Sequence, residues 1–351
     1  MIASRRFATA RLDTHVYVAG SPEHPPVLVI HGNVSSAAFF DRLQAELAAG
    51  HYVIAPDLRG YGKSEAKPVD ATRGVRDYAD DLAALLEHAD LGVEGRALDV
   101  IGWSAGANVA MQLAIDHGRH VGSLVLIAPG SPFGFGGTKG LDGTPCFDDF
   151  AGSGGGTANP QFVALLRSKD MSADQPSSPR NVMNAFYWKP PFRPTPAERE
   201  DAYVAAMLDT HVDPGNYPGD LTPSSNWPGI APGTKGMNNA LAPKWLDQAR
   251  FADIERKPPV LWVRGADDQI VSDRSMFDFG VLGELGVVPG WPGADVYPAQ
   301  PMVGQMRRVL ERYAAGGGSW RELVFDECGH GPHVEKHDEF VAALRAFWGR
   351  R

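Results

Sequence analysis

The segment Gly102-Trp103-Ser104-Ala105-Gly106 sets a hydroxyl between two glycines, where an apolar run ending at Ile101 meets a helix-patterned run beginning at Ala105. In a strand, turn and helix setting the glycines let strand and helix approach closely while the serine is held exposed on a strained turn. With 40 glycines in the chain such a pentapeptide would arise by chance about 0.2 times, so its weight comes from its flanks. A serine hydroxyl is a weak nucleophile near neutral pH and needs a base to take its proton and a carboxylate to orient that base. Two other segments supply these types. Arg264-Gly265-Ala266-Asp267-Asp268-Gln269-Ile270-Val271 follows the apolar run Val260 to Val263, and Cys328-Gly329-His330-Gly331-Pro332-His333 follows Glu322 to Phe325. At this level the acid is Asp267 or Asp268, and the base is His330 or His333.

These three groups must be brought together by the elements around them. Short β-patterned stretches at Phe7 to Leu12, His15 to Ala19 and Val27 to Ile30 open the chain. After them helix and strand patterns alternate: helix from Ala37 to Ala49, strand Tyr52 to Ala55, helix Val75 to Ala89, strand Ala97 to Ile101, helix Ala105 to His117, strand Ser123 to Ala128. Such alternation predicts a parallel sheet with helices on both faces, and sites form beyond the carboxyl ends of its strands. From Ser131 to Pro243 the pattern stops and 14 Gly and 15 Pro appear. The aromatic residues there exceed what a flexible spacer carries, so the stretch reads as a loop-rich cap with a helix near Glu198 to Asp209. The α/β pattern resumes with Val260 to Val263, a helix at Met302 to Ala315, Glu322 to Phe325, and a terminal helix at Asp338 to Trp348. A second insertion, Ser275 to Pro301, is apolar and is expected to pack on the cap or the sheet edge.

With Ser, Asp and His in that chain order, the sequence resembles α/β-hydrolase fold enzymes of the serine esterase and lipase-like branch. The resemblance covers roughly 1–130 and 246–351, the expected hydrolase core, with 131–245 as a cap inserted after the sixth strand. It rests on the elbow, on His31-Gly32-Asn33, on Pro56-Asp57-Leu58-Arg59-Gly60-Tyr61-Gly62-Lys63-Ser64, on Gly265 to Val271, and on Gly329-His330. It implies an α/β fold with a mostly parallel sheet flanked by helices, Ser104 as nucleophile, Asp268 as acid and His330 as base. The backbone amides of Asn33 and Ala105 are the expected oxyanion donors. Asp57 and Arg59 resemble a structural turn of such families. The expected reaction is acyl transfer without a cofactor or a metal, cleaving an ester or lactone of a bulky or apolar small molecule. Trp103, Phe133, Trp188 and Trp227 are the candidate substrate contacts. The same machinery serves C–C bond hydrolases, aminopeptidases and perhydrolases, and a slow-turnover ligand receptor would retain it too.

Composition narrows the partners. At 351 residues, 42 acidic against 33 basic side chains give a net charge of −9 and a pI near 5.6, which leaves no polycationic surface for nucleic acid or anionic lipid. The apolar runs are too short to span a bilayer. The opening residues Met1 to Phe7 hold a basic pair with no apolar stretch after it, which does not read as a secretory signal, so the expected compartment is the cytoplasm. The two cysteines, Cys146 and Cys328, are then expected to be free thiols.

Overall fold

The computed structural model describes residues 2–349; residues 1 and 350–351, the outermost positions of the expected core, lie outside them. The strands β1 (Ile2–Ala8), β2 (Asp13–Ala19), β3 (Pro26–Ile30), β4 (Tyr52–Pro56), β5 (Leu98–Trp103), β6 (Val121–Ile127), β7 (Val260–Gly265) and β8 (Trp320–Phe325) form one sheet. Their order is β1-β2-β4-β3-β5-β6-β7-β8. β2 is antiparallel to both β1 and β4, and all other neighbours are parallel.

Every residue of β3 and β4 is buried, because helices cover both faces and strand alternation feeds two cores. Leu28 and Ile30 point into one core, built with α2 (Arg76–Leu86), α3 (Ala105–Asp116) and α6 (Met302–Ala315). Val27 and Val29 point into the other, built with α1 (Asp41–Leu47) and α7 (His337–Trp348). From β3 the chain crosses to β4 on one side and then to β5 on the other. The carboxyl ends of β3 and β5 therefore flank the point where strand order reverses, where open α/β sheets leave a crevice.

Residues 131–245 run from β6 toward β7. They contain α4 (Pro160–Arg167), a short helix Pro179–Val182 that widens into a π-helical turn over Met183–Tyr187, and α5 (Ala197–Leu208). Asn159 caps α4 by accepting from the amides of Gln161 and Phe162, with Pro160 in the first turn. Met183, Tyr187, Trp188, Tyr203 and Met207 pack into the same core as Phe39, Trp103 and the Val27 face of the sheet. Residues 275–301 brace this stretch: Tyr297 donates to Ala151 O (3.2 Å), Trp227 to Pro289 O (2.9 Å), and Gln300 Oε1 accepts from Gly136 N (2.7 Å).

Two local expectations shift. The first strand ends at Ala8 rather than reaching Leu12, because the Thr9 hydroxyl accepts from the amides of Arg11 and Leu12 and bends the chain. The expected helix from Ala37 opens as a tight 3-10 turn, Ala37–Phe40, capped by Ser36, which buries Phe39 and Phe40 side by side. Both cysteines are free, and burial pushes the Cys146 thiol up to about 12.

Candidate active site

Ser104 sits between β5 and α3 with φ 55° and ψ −125°, a conformation that costs a non-glycine residue of order 1–3 kcal/mol. The turn is held because its neighbours have no room to relax. A Cβ at Gly106 would lie 2.3 Å from His31 O, and one at Gly102 would lie 2.5 Å from Gly106 O. The Ser104 amide donates to Ile127 O at 2.8 Å, fixing the elbow to β6.

His330 Nδ1 lies 2.8 Å from Asp268 Oδ2, with both side chains 2% exposed. Asp268 Oδ1 accepts from the amides of Ile270 (2.8 Å) and Val271 (3.0 Å). The carboxylate is thus oriented by two backbone donors and is placed to accept the hydrogen bond of Nδ1–H, leaving Nε2 of His330 as the acceptor nitrogen. The main chain at His330 is also anchored, since Trp103 Nε1 donates to His330 O at 2.9 Å. Ser104 and His330 line one cavity of about 420 Å³. Among the described residues the Ser104 hydroxyl has no hydrogen bond, and the serine-to-histidine contact of a free enzyme is commonly long.

The other candidates left open by the sequence, Asp267 and His333, lie in different surroundings from Asp268 and His330. Asp267 is 40% exposed and pairs with Lys189 at 3.1 Å, a lysine that also holds Glu327 at 2.6 Å. His333 is buried, stacked on Phe40 at 4.6 Å and tilted against Trp103 at 4.8 Å, and neither ring nitrogen has a hydrogen-bond partner. Burial and the nearby His337 and His330 hold His333 well below the usual histidine range. A histidine with a lowered folded value favours the neutral form, so its stabilising share is present above the unfolded value near 6.5 and is lost as pH falls below it. Replacing His333 with phenylalanine is expected to stabilise the protein, with a margin over wild type that widens by up to about 1.4 kcal/mol per pH unit below about 6.5. Urea unfolding at pH 7.5, 6 and 5 measures this, and parallel curves for the two proteins would refute it.

The loop after β3 carries Asn33, and neighbouring loops fasten it. Leu58 N donates to His31 Nε2 (2.9 Å) and His31 Nδ1 faces Gly32 O (2.8 Å). Burial lowers the His31 pKa, with Asp57 opposing. Asp57 accepts from Ala37 N and Lys63 N and bonds His15 Nδ1 at 2.7 Å, while Arg59 makes a bidentate pair with Asp81. Both therefore serve the architecture of these turns. Among the described residues the amides of Asn33 and Ala105 are not spent on hydrogen bonds of the fold. The Asn33 side chain makes three hydrogen bonds: Oδ1 accepts from Val34 N (3.0 Å) and Tyr61 OH (2.7 Å), and one N–H of Nδ2 donates to Asn238 Oδ1 (2.9 Å).

Of the candidate substrate contacts, Trp103 lines the cavity and the other three do not. Trp188 is 1% exposed, locked among Phe39, Tyr187, Phe192 and Tyr203. Trp227 packs edge-on to Tyr297 and Phe279, behind the wall. Phe133 packs against the core on the α3 side of the sheet. Their places are taken by Phe135, Phe162, Phe186, Phe277 and Phe279, with Asn238 as an added polar group. Among the described residues no Asp, Glu, Lys or Arg lines the cavity. Among the described residues no cluster of three or more His, Cys, Asp or Glu is placed to hold a metal ion, and no helix is long and apolar enough to cross a membrane.

A family model described as alpha/beta hydrolase family matches residues 27–343. A curated relative, 2-hydroxymuconate semialdehyde hydrolase of Pseudomonas sp. (strain CF600), is 30% identical over 184 residues, covering 51% of this chain and 56% of that protein. The chain therefore spans little more than half the length of that relative. 2-(Acetamidomethylene)succinate hydrolase of Mesorhizobium japonicum is 26% identical over 296 residues, 84% of this chain and 88% of that protein. Among solved structures, an esterase from Rhodococcus sp. ECU1013 superposes with a TM-score of 0.59 at 20% identity, over 99% of this chain and 98% of that one. At that identity the likeness speaks to the fold alone.

Proposed function

The chain belongs to the alpha/beta hydrolase family, and from that premise we propose that it is a serine hydrolase cleaving a neutral, apolar carboxylic ester or lactone through an acyl-enzyme. The observation that carries this reading is the buried Asp268–His330 pair opening onto the same cavity as Ser104 on its strained turn. Ser104 Oγ attacks the carbonyl carbon as His330 Nε2 takes its proton, and Asp268 stabilises the resulting imidazolium. The carbonyl oxygen, now an oxyanion, is received by the amides of Asn33 and Ala105. Collapse breaks the ester bond, and the alkoxide leaves with the proton from His330. Water then repeats the sequence on the acyl group, giving the carboxylic acid and free Ser104. The steps need no cofactor. In this reading residues 131–245 act as the cap, with 275–301 completing the wall over the acyl or alcohol group.

The absence of Asp, Glu, Lys and Arg among the described wall residues supports a neutral substrate. The names of the two curated relatives denote carboxylates, a semialdehyde of muconate and a substituted succinate. An anionic substrate would enter this cavity without a cation to pair with, and an unpaired charge in an apolar site is costly. Among esters of equal length, those with a neutral chain end are expected to exceed those ending in a carboxylate by on the order of a hundredfold or more in kcat/KM. A chain-length series of p-nitrophenyl esters with and without a terminal carboxylate tests the assignment. Faster turnover of the carboxylates would overturn it.

A further inference from the structure

Two adjacent asparagines in the short helix Met237–Ala240 have opposite fates. Asn239 is completely buried and spent: Oδ1 accepts from the amides of Gly155 (2.8 Å) and Gly233 (3.0 Å), and Nδ2 donates to Asp220 and to Lys235 O. Asn238 is half-buried, lines the cavity and has one bond, accepted at Oδ1 from Asn33 Nδ2.

The orientation of that bond follows from a group that cannot reverse. The backbone N–H of Val34 can only donate, so the Asn33 atom it meets at 3.0 Å is the carbonyl oxygen. Tyr61 OH donates to the same oxygen at 2.7 Å. The remaining end of Asn33 is its NH₂ group, so the Asn238 atom that meets it is an oxygen. This leaves Nδ2 of Asn238 as an unspent donor on a residue of the cavity wall; no group of the described chain accepts from it. The polarity of the chain runs from Tyr61 and the Val34 amide, through Asn33, to a donor at the cavity. Asn33 is also the residue whose own amide is unspent, and it lines the cavity together with Ser104, Ala105 and Asn238, so this donor belongs to the part of the wall where the scissile carbonyl is proposed to lie.

We propose that Asn238 is a specificity-determining residue whose Nδ2 donates to an acceptor oxygen in the acyl chain, close to the scissile carbonyl. This rests on the ester-hydrolase reading above. The preferred substrates are then neutral acyl esters carrying an ether or keto oxygen beside the carbonyl, within an otherwise apolar chain. A donor that the bound ligand covers discriminates strongly, since a ligand without the matching acceptor strips the NH₂ of water and gives nothing back.

The test compares p-nitrophenyl methoxyacetate with p-nitrophenyl butyrate, which differ by one oxygen in place of a methylene. Reading the ratio of their kcat/KM in each protein cancels their intrinsic reactivities. Asn238→Asp keeps the acceptor for Asn33 and loses the donor; Asn238→Leu loses both. In both variants the ratio is expected to fall by roughly ten- to a hundredfold from its wild-type value. Equal losses on both esters would mean that Asn238 only holds Asn33 in place, and the proposal fails. Fluorophosphonate labelling of Ser104 runs alongside. A labelled serine with an unchanged ratio sinks the Asn238 assignment alone, whereas a wild-type protein that neither labels nor turns over either ester sinks the hydrolase reading and this inference with it.

Discussion

Replacing Ser104 with alanine is expected to lower ester turnover by on the order of 10⁴-fold or more and to abolish labelling by a fluorophosphonate, with no loss of folding stability. The expectation of unchanged stability is specific to this site. The hydroxyl makes no hydrogen bond among the described residues, and the elbow is held by its backbone, through the bond from Ser104 N to Ile127 O, and by Gly102 and Gly106. Alanine keeps the backbone preference and removes only the oxygen that reacts. The measurement is steady-state hydrolysis with intact-mass labelling and urea unfolding of both proteins. Retained hydrolysis in the alanine variant would dismiss the acyl-enzyme mechanism. A wild-type burst of one product equivalent followed by near-zero turnover would instead mark a single-turnover receptor.

Asp268→Asn is expected to cost on the order of 10⁴-fold in kcat, and Asp267→Asn very little. Asparagine at 268 can keep its oxygen on the amides of Ile270 and Val271, but it then turns its NH₂ toward His330 Nδ1. That nitrogen must become the acceptor, which moves the ring proton to Nε2, where Ser104 needs a base. At 267 the loss is a half-exposed pair whose lysine retains Glu327, an interaction of the kind worth at most about 1 kcal/mol. The two variants measured side by side on one ester decide the matter, and the reverse ranking would transfer the acid to the neighbouring residue.

The ambiguity that this pair resolves shows where sequence reading stops. The strands and the Ser104 elbow were legible because their signals are local: consecutive apolar residues in β3 to β6, and two glycines at positions where any Cβ would strike backbone. The choice between Asp267 and Asp268, or His330 and His333, depends on which side of a loop faces inward, and a one-residue turn decides it. Cavity aromatics failed for the same reason at slightly longer range. Phe135 faces the cavity where Phe133 does not, and Phe186 where Trp188 does not, the latter after the widened helical turn at Met183–Tyr187 has changed the facing direction. Composition marks 131–243 as rich in aromatic residues, but those rings serve a packed interior as readily as a binding wall. Asn238 gave no sequence signal at all, because its role exists only through a hydrogen bond to a residue 205 positions away.

Under the mechanism proposed above, the positive φ of Ser104 sets catalysis against stability at a single residue. Glycine would occupy that backbone conformation without the steric penalty, recovering part of about 1–3 kcal/mol, a sizeable fraction of a typical domain's 5–15 kcal/mol margin. On that mechanism, selection for turnover is what would keep the strained serine in place. A descendant freed from that selection gains stability from the very substitution that ends its chemistry, so loss of activity in this lineage would be a downhill step, hard to reverse by drift alone.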